Sequence, residues 1–308
     1  MTPKIAAIGE AMVEFAPVGE GLYRRGFAGD TFNTIWHMAQ CLGREARCSF
    51  VTRVGSDALS DRFVHELSED GLDVACISRD PARLMGLYMI ELDGAERSFH
   101  YWRGQSAARH LADDPGALRD ALRDSAIVYL SGITLAVLTP DGRRALFDVL
   151  AELRGQGARV AFDPNFRPKL WPSREAAREA MHQALRLSDI ALPSFDDEQA
   201  LWGDPTPEAT VQRLIEAGVG EVVVKNGARG VTTVENGRVS VTETPPPETL
   251  RDTAGAGDAF NAGYLSASLK GAARSDAIAQ GHRLACTVLA TFGARASKEA
   301  VTELLRSV

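Results

Sequence analysis

Four cysteines, at positions 41, 48, 76 and 286, are all this 308-residue chain contains, and no two stand in Cys-x-x-Cys spacing. That excludes a disulfide-built scaffold and leaves buried free thiols in a reducing compartment as the expectation. The six histidines form no His-Glu-x-x-His pattern, so no zinc-hydrolase helix is present. No apolar run approaches the 18 residues of a membrane-spanning helix, and the N-terminus runs straight into a strand-like segment without a signal peptide. A cytoplasmic location is expected. Net charge is −7 with both signs interspersed; a nucleic-acid binder would show a basic stripe, and the acidic excess serves solubility. There is no Walker A motif, and Gly9-Glu10-Ala11 follows the first strand where a dinucleotide-binding Gly-x-Gly-x-x-Gly would stand. Internal repeats and low-complexity segments are also missing.

What is present is an ordinary globular composition, 45% hydrophobic and 24% charged. Short apolar or β-branched runs end in turn residues at Ile5–Gly9, Cys48–Val54, Ile127–Ser131, Val160–Asp163, Ile190–Pro193 and Glu221–Lys225. Stretches of helical period lie between most of them: Phe32–Leu42, Ser60–Leu67, Gly142–Leu153, Arg174–Leu187 and Thr210–Ala217. Helical patterning fills the chain after residue 256, ending with Ser297–Leu305. Strand alternating with helix predicts an α/β fold with a mostly parallel sheet, which presents ligands at the carboxyl ends of its strands. Two regions break the rhythm, 11–28 and 73–104. They predict antiparallel hairpins, one turning at Asp93-Gly94, that come together as a small β lid on a single domain spanning 1–308.

The most informative stretch is Arg251-Asp252-Thr253-Ala254-Gly255-Ala256-Gly257-Asp258-Ala259-Phe260. A backbone nearly bare of side chains lets an anion approach, and a helix opening there adds free N–H groups and the positive end of its dipole. Asp258 would then place a carboxylate beside bound phosphate. A plain glycine turn needs no such residue. Taking a proton from a hydroxyl as it attacks a phosphoryl group would explain it.

Asp252-Thr253-Ala254-Gly255-Ala256-Gly257-Asp258, followed by Ala262-Gly263-Tyr264-Leu265, resembles the C-terminal signature of the ribokinase-like (PfkB) carbohydrate kinases. A second signature is similar to Ala28-Gly29-Asp30-Thr31-Phe32-Asn33. Gly86-Leu87-Tyr88, Tyr101-Trp102-Arg103 and Asp163-Pro164-Asn165-Phe166-Arg167-Pro168-Lys169-Leu170-Trp171 resemble the 2-keto-3-deoxygluconate kinases within that family. The resemblance covers nearly the whole chain and implies a three-layer α/β/α core. It also implies ATP, Mg2+ and a small sugar acid as ligands, neither nucleic acid nor membrane as partner, and possible use of K+.

Residue by residue, the resemblance implies that Asp258 is the base and that Gly255, Ala256 and Gly257 form the anion hole. Gly29, Asp30 and Asn33 would bind sugar hydroxyls; Asp30 and Asn33 lie one helical turn apart and can face one polyol. Tyr101 and Arg103 share one face of their strand, with Tyr88 on the paired strand. A sugar acid carries a carboxylate that a planar guanidinium suits, so Arg103 and Arg167 are the two candidates to read it. Arg167 alternatively serves the transferring phosphoryl. Asn165, Ser194, Lys225, Gly227 and Gly230 are expected at the nucleotide. In relatives an Asn-x-x-Glu stretch organises magnesium; here Ser194 and Asp197 stand at those positions, leaving Asp197 or Glu198 to act through water. Ala28 replaces a glycine common in relatives. Asp252 is expected to hold a monovalent cation. His282 and Cys286, at i, i+4, would flank the adenine, with core packing the expected role of both. The helix N-terminus is expected to depress the Asp258 pKa. Exposed lid strands carrying Trp102 point to a homo-oligomer.

The expected reaction is ATP-dependent phosphorylation of 2-keto-3-deoxygluconate at its terminal hydroxyl. The rivals are a kinase for a neutral sugar such as fructose or ribose, and a non-catalytic sugar- or nucleotide-binding regulator on the same fold.

Overall fold

Ile5 and Ala7 point to one side of the first strand, Ala6 and Ile8 to the other, and all four are fully buried. A strand covered on both faces reads as a continuous apolar run, which is why Lys4–Ile8 shows no alternation. In a computed structural model, which describes residues 2–306 except 20, 94, 95 and 236, this strand lies within a large sheet. Among the described residues that sheet has nine strands, in the order Arg238–Thr242, Val231–Glu235, Glu221–Lys225, Ile190–Ala191, Arg159–Asp163, Ser125–Ser131, Lys4–Ile8, Arg47–Gly55 and Ile77–Asp80. The six pairings from Glu221–Lys225 to Ile77–Asp80 are parallel; the two at the other edge are antiparallel.

Ile5 and Ala7 belong to a core shared with the helices Asp30–Leu42, Ala256–Leu269 and Arg274–Leu289. Ala6 and Ile8 belong to a second core with the helices Pro140–Gly155, Arg174–Arg186 and Pro207–Glu216. The result is the expected three-layer α/β/α arrangement. Helix starts follow capping chemistry: Thr139, Ser173 and Thr206 each accept a backbone N–H two or three residues into their helix, and proline follows Thr139 and Thr206 directly. No helix of the described residues is long and apolar enough to cross a membrane. All four cysteines are free, and burial pushes the thiols of Cys41 and Cys48 up to about 12.

The small sheet has the order Leu22–Ala28, Met12–Gly19, Gly86–Asp93, Glu96–Trp102. Each outer pair is an antiparallel hairpin, as expected. The hairpins join side by side through a parallel pairing of Met12–Phe15 with Gly86–Met89. Gly94, part of the expected turn, lies outside the described residues. One boundary is corrected. The segment from 73, expected with this sheet, instead sends Ile77–Asp80 to the edge of the large sheet, parallel to Arg47–Gly55. Its backbone finds partners there because Thr52–Gly55 is otherwise an open edge; a short apolar run does not reveal which edge it will complete.

Candidate active site

Gly255 opens the helix Ala256–Leu269 at φ +74, a left-handed conformation that favours glycine. A Cβ there would also lie 2.3 Å from the Ala294 carbonyl oxygen, so glycine is required on two counts. The turn is fixed by Asp252, whose carboxylate accepts the Ala254 and Gly293 N–H groups, each at 2.9 Å. Asp258 follows in the first helical turn, at the carboxyl-end side of the large sheet.

Asp258 sits among other carboxylates. Asn33 donates its amide to Asp258 at 2.9 Å, and Asn165 donates to Asp30 at 2.7 Å. Asn261 donates to Asp163 at 2.6 Å. Each aspartate is thus met by the neutral amide of one asparagine. Lys225 supplies a full charge: its ammonium contacts Asp163 at 3.0 Å and the Asn261 oxygen at 2.9 Å. Tyr129 accepts from Asn261 at 3.0 Å, and Thr34 donates to the Tyr129 oxygen at 3.4 Å. Asn165 reaches its position with φ +36, a left-handed conformation asparagine tolerates, while its N–H donates to Asp163 at 3.1 Å.

The expected depressed pKa of Asp258 is corrected. Burial, then the charge of Asp30, pushes its carboxyl up to about 8, against relief from Asn33 and Lys225. Removal from water and like charge outweigh the helix N-terminus here.

The remaining expected residues form three further groups. Tyr88 and Tyr101 stand opposite each other on paired strands with ring centroids 5.7 Å apart. Tyr88 is buried and donates to Glu14, while Tyr101 is half exposed. Arg103 stacks 5.9 Å from the Tyr101 ring and forms an ion pair with the buried Glu10. Among the described residues, no hydrogen bond or ion pair joins this group to Asp258. Arg167, half exposed, faces both carboxylate oxygens of Asp197 at 3.3 Å. Gly227 and Gly230 form a tight turn after Glu221–Lys225, both at positive φ; a Cβ on Gly230 would meet the Thr242 carbonyl at 2.4 Å. Ser194 leads into the helix Phe195–Trp202, and its backbone bridges to Lys225. Gly29 packs against the Glu10 backbone, where a Cβ would lie 2.2 Å from the carbonyl oxygen. His282 and Cys286 touch at 3.4 Å on the helix Arg274–Leu289, both partly buried.

Glu198 is corrected as a magnesium candidate. It is fully buried against Arg213 at 2.5 Å, which also binds Asp204, and burial pushes its carboxyl up to about 7. Neighbours on a helix point about 100° apart, so Glu198 turns inward where Asp197 turns to Arg167. Among the described residues no three His, Cys, Asp or Glu side chains gather as a metal cluster.

Four polar residues escaped the sequence reading: Asp163, Asn261, Tyr129 and Glu10. Asp163 opens a motif already singled out, and Asn261 lies three residues after Asp258, on the same helix face. Glu10 lies two residues past the end of the strand Lys4–Ile8, on the side where such sheets bind ligands. Tyr129 reads as a core aromatic and carries no signal.

A three-layer sheet fold with a glycine-opened helix and a carboxylate in its first turn has the makings of a ribokinase-like sugar kinase. Residues 2–301 match the pfkB family carbohydrate kinase profile. The chain belongs to that family. It is 40% identical, over 98% of its length and 99% of the relative's, to 2-dehydro-3-deoxygluconokinase of Escherichia coli (strain K12). It is 39% identical to the enzyme of that name from Dickeya dadantii (strain 3937), over 97% and 99% of the two chains. The fold matches a putative Ribokinase II from E. coli, solved in complex with ATP and Mg2+, at TM-score 0.85 and 23% identity, covering 99% of this chain and 100% of that one.

A carboxyl that titrates near 8 when folded but near 4 when unfolded keeps its proton only in the folded state between those values, so stability falls as pH rises across that window. Asp258→Asn removes this dependence. Urea denaturation at pH 5 and pH 8 should therefore find the variant gaining on the parent as pH rises. Equal pH dependence of the two proteins would contradict the raised proton affinity.

Proposed function

We propose that the chain transfers the γ-phosphoryl group of ATP to the terminal primary hydroxyl of 2-keto-3-deoxygluconate, yielding the 6-phosphate. The observation carrying this reading is the Asp258 carboxyl in the first turn of a helix opened by Gly255, in a chain 40% identical to a 2-dehydro-3-deoxygluconokinase.

Asp258 accepts the proton of the attacking hydroxyl. Its raised proton affinity makes its carboxylate form a stronger base than a helix N-terminus alone would leave. Backbone N–H groups of Gly255, Ala256 and Gly257 face the charge developing on the transferring oxygens. Gly29, Asp30 and Asn33 hold the sugar hydroxyls at the start of the helix Asp30–Leu42. Lys225 works from beneath: its ammonium lies 3.8 Å from where a Cβ on Gly257 would be. Asn165, Ser194, Gly227 and Gly230 frame the nucleotide, with Arg167 between nucleotide and sugar. A magnesium ion bound with the nucleotide would supply neutralisation of phosphate charge. Asp197 is the residue that would hold such an ion, through water. Asp252, already fastening the turn, is the residue assigned to a monovalent cation such as K+.

The small sheet acts as a lid that presents Tyr88, Tyr101 and Arg103 to the sugar and excludes water. Its other face surrounds an apolar groove of about 420 Å3 lined by Phe15, Tyr23, Leu87, Met89 and Trp102. Trp102 is 59% exposed there, and a second copy of the chain is the occupant we assign, making a homodimer through the lids. One observation favours the rival neutral-sugar reading: Arg103 already has a carboxylate partner in Glu10.

Asp258→Asn should lower kcat by roughly 10²–10⁴ with an unchanged circular dichroism spectrum; near-normal turnover would remove Asp258 from the base role. Arg103→Ala should cost about 1.5–3 kcal/mol in kcat/KM for 2-keto-3-deoxygluconate and little for fructose. An unaltered preference between the two sugars would support the rival. Sedimentation should show Trp102→Glu monomeric at concentrations where the parent is a dimer, and equal mass for both proteins would exclude lid pairing.

A further inference from the structure

All four strands of the small sheet meet the main body at one residue. Met12 begins the strand two positions after Glu10, and Gly29 follows the strand Leu22–Ala28. Gly86 begins the third strand, and Arg103 follows the fourth, Glu96–Trp102. Gly29 packs on the Glu10 backbone so closely that a Cβ would lie 2.2 Å from its oxygen. A Cβ on Gly86 would lie 2.8 Å from the Glu10 carboxylate and 3.2 Å from the Arg103 Cβ. The carboxylate of Glu10 is buried, with one oxygen accepting from Ser106 Oγ and the other facing Arg103 Nη2. Arg103 is only partly satisfied: its Nε is buried with no hydrogen-bond partner among the described residues.

We propose that Glu10 is a positioning residue for substrate recognition, holding Arg103 at the root of the lid so that its remaining donors meet the carboxylate of the sugar acid. The inference rests on the sugar-acid reading above. A guanidinium presents five N–H donors in a rigid fork and can serve two carboxylates on different edges. Anchored by Glu10, Arg103 keeps one edge fixed and pays less conformational entropy on meeting the second carboxylate. The same ion pair ties that meeting to the strand roots. Engagement of the sugar carboxylate is thereby coupled to the angle of the lid.

A double-mutant cycle tests this with the full chain, using the parent, Glu10→Gln, Arg103→Ala and the double variant, each checked for fold by circular dichroism. KM and kcat are measured with 2-keto-3-deoxygluconate. Glu10→Gln keeps the shape and the Ser106 hydrogen bond but removes the charge. It should raise KM about tenfold in the parent background and less than about twofold when Arg103 is already alanine, as for coupled contacting residues. Equal effects in both backgrounds, while Arg103→Ala by itself raises KM, would overturn the role of Glu10 alone. If Arg103→Ala leaves KM unchanged, the carboxylate reading falls and this inference falls with it. Should Glu10→Gln not fold, Ser106→Ala, which loosens Glu10 without touching its charge, is expected to raise KM severalfold only when Arg103 is present. An increase independent of Arg103 would again overturn the proposal.

Discussion

Like charges crowded into one half-buried pocket constrain everything around them. Asp30, Asp163 and Asp258 come together where the helices Asp30–Leu42 and Ala256–Leu269 meet the end of the strand Arg159–Asp163. Lys225 answers Asp163 directly and relieves Asp258 at longer range. The rest of the relief comes from amides: Asn33, Asn165 and Asn261 each lend one aspartate a donor without adding charge. Hydrogen bonds without counter-charge satisfy the oxygens but leave the repulsion, and that repulsion adds to the larger effect of burial in raising the proton affinity of Asp258.

The same pocket explains the division of labour along the chain. The glycine turn at 255 and the helix behind it hold Asp258 rigidly, fastened by Asp252 to the loop at Gly293. The small sheet carries Tyr88, Tyr101 and Arg103 on a separate platform whose root is tied to the body at Glu10 and at the Phe27 carbonyl, which accepts from Arg295. The proposed function therefore builds chemistry on the body and discrimination on the appendage. Such a division lets one fold serve many sugars by altering strands and leaving the turn alone.

Much of this was legible in the sequence, for physical reasons. Strand runs such as Glu221–Lys225 and the glycine turn before Asp258 announce themselves because local periodicity and backbone demands act over a few residues. The pairing partner of Ile77–Asp80 did not, since an edge strand is chosen by a neighbour 25 residues away. The raised proton affinity of Asp258 was likewise hidden: it depends on Asp30, 228 positions earlier. Asp197 and Glu198 look interchangeable in sequence, yet the rotation of about 100° between helix neighbours sends the first to Arg167 and the second to Arg213. Asn261 was readable as a neighbour of Asp258 on its helix, whereas the hydroxyl of Tyr129 could only be placed by the sheet that carries it.

The convergence of four strand roots has a mechanical consequence. Because the two hairpins are stitched together along Met12–Phe15 and Gly86–Met89, the small sheet is one continuous plate rooted along one edge, and as the proposed lid it would turn about that edge. The seven residues of Glu96–Trp102 reach about 23 Å from that edge. A rotation of about 10° at the root therefore sweeps the far rim through about 4 Å, while Arg103, beside the axis, shifts by less than about 1 Å. The plate is a lever whose short arm carries the charge and whose long arm carries the displacement. A small adjustment in how one guanidinium is held is thus magnified severalfold at the rim.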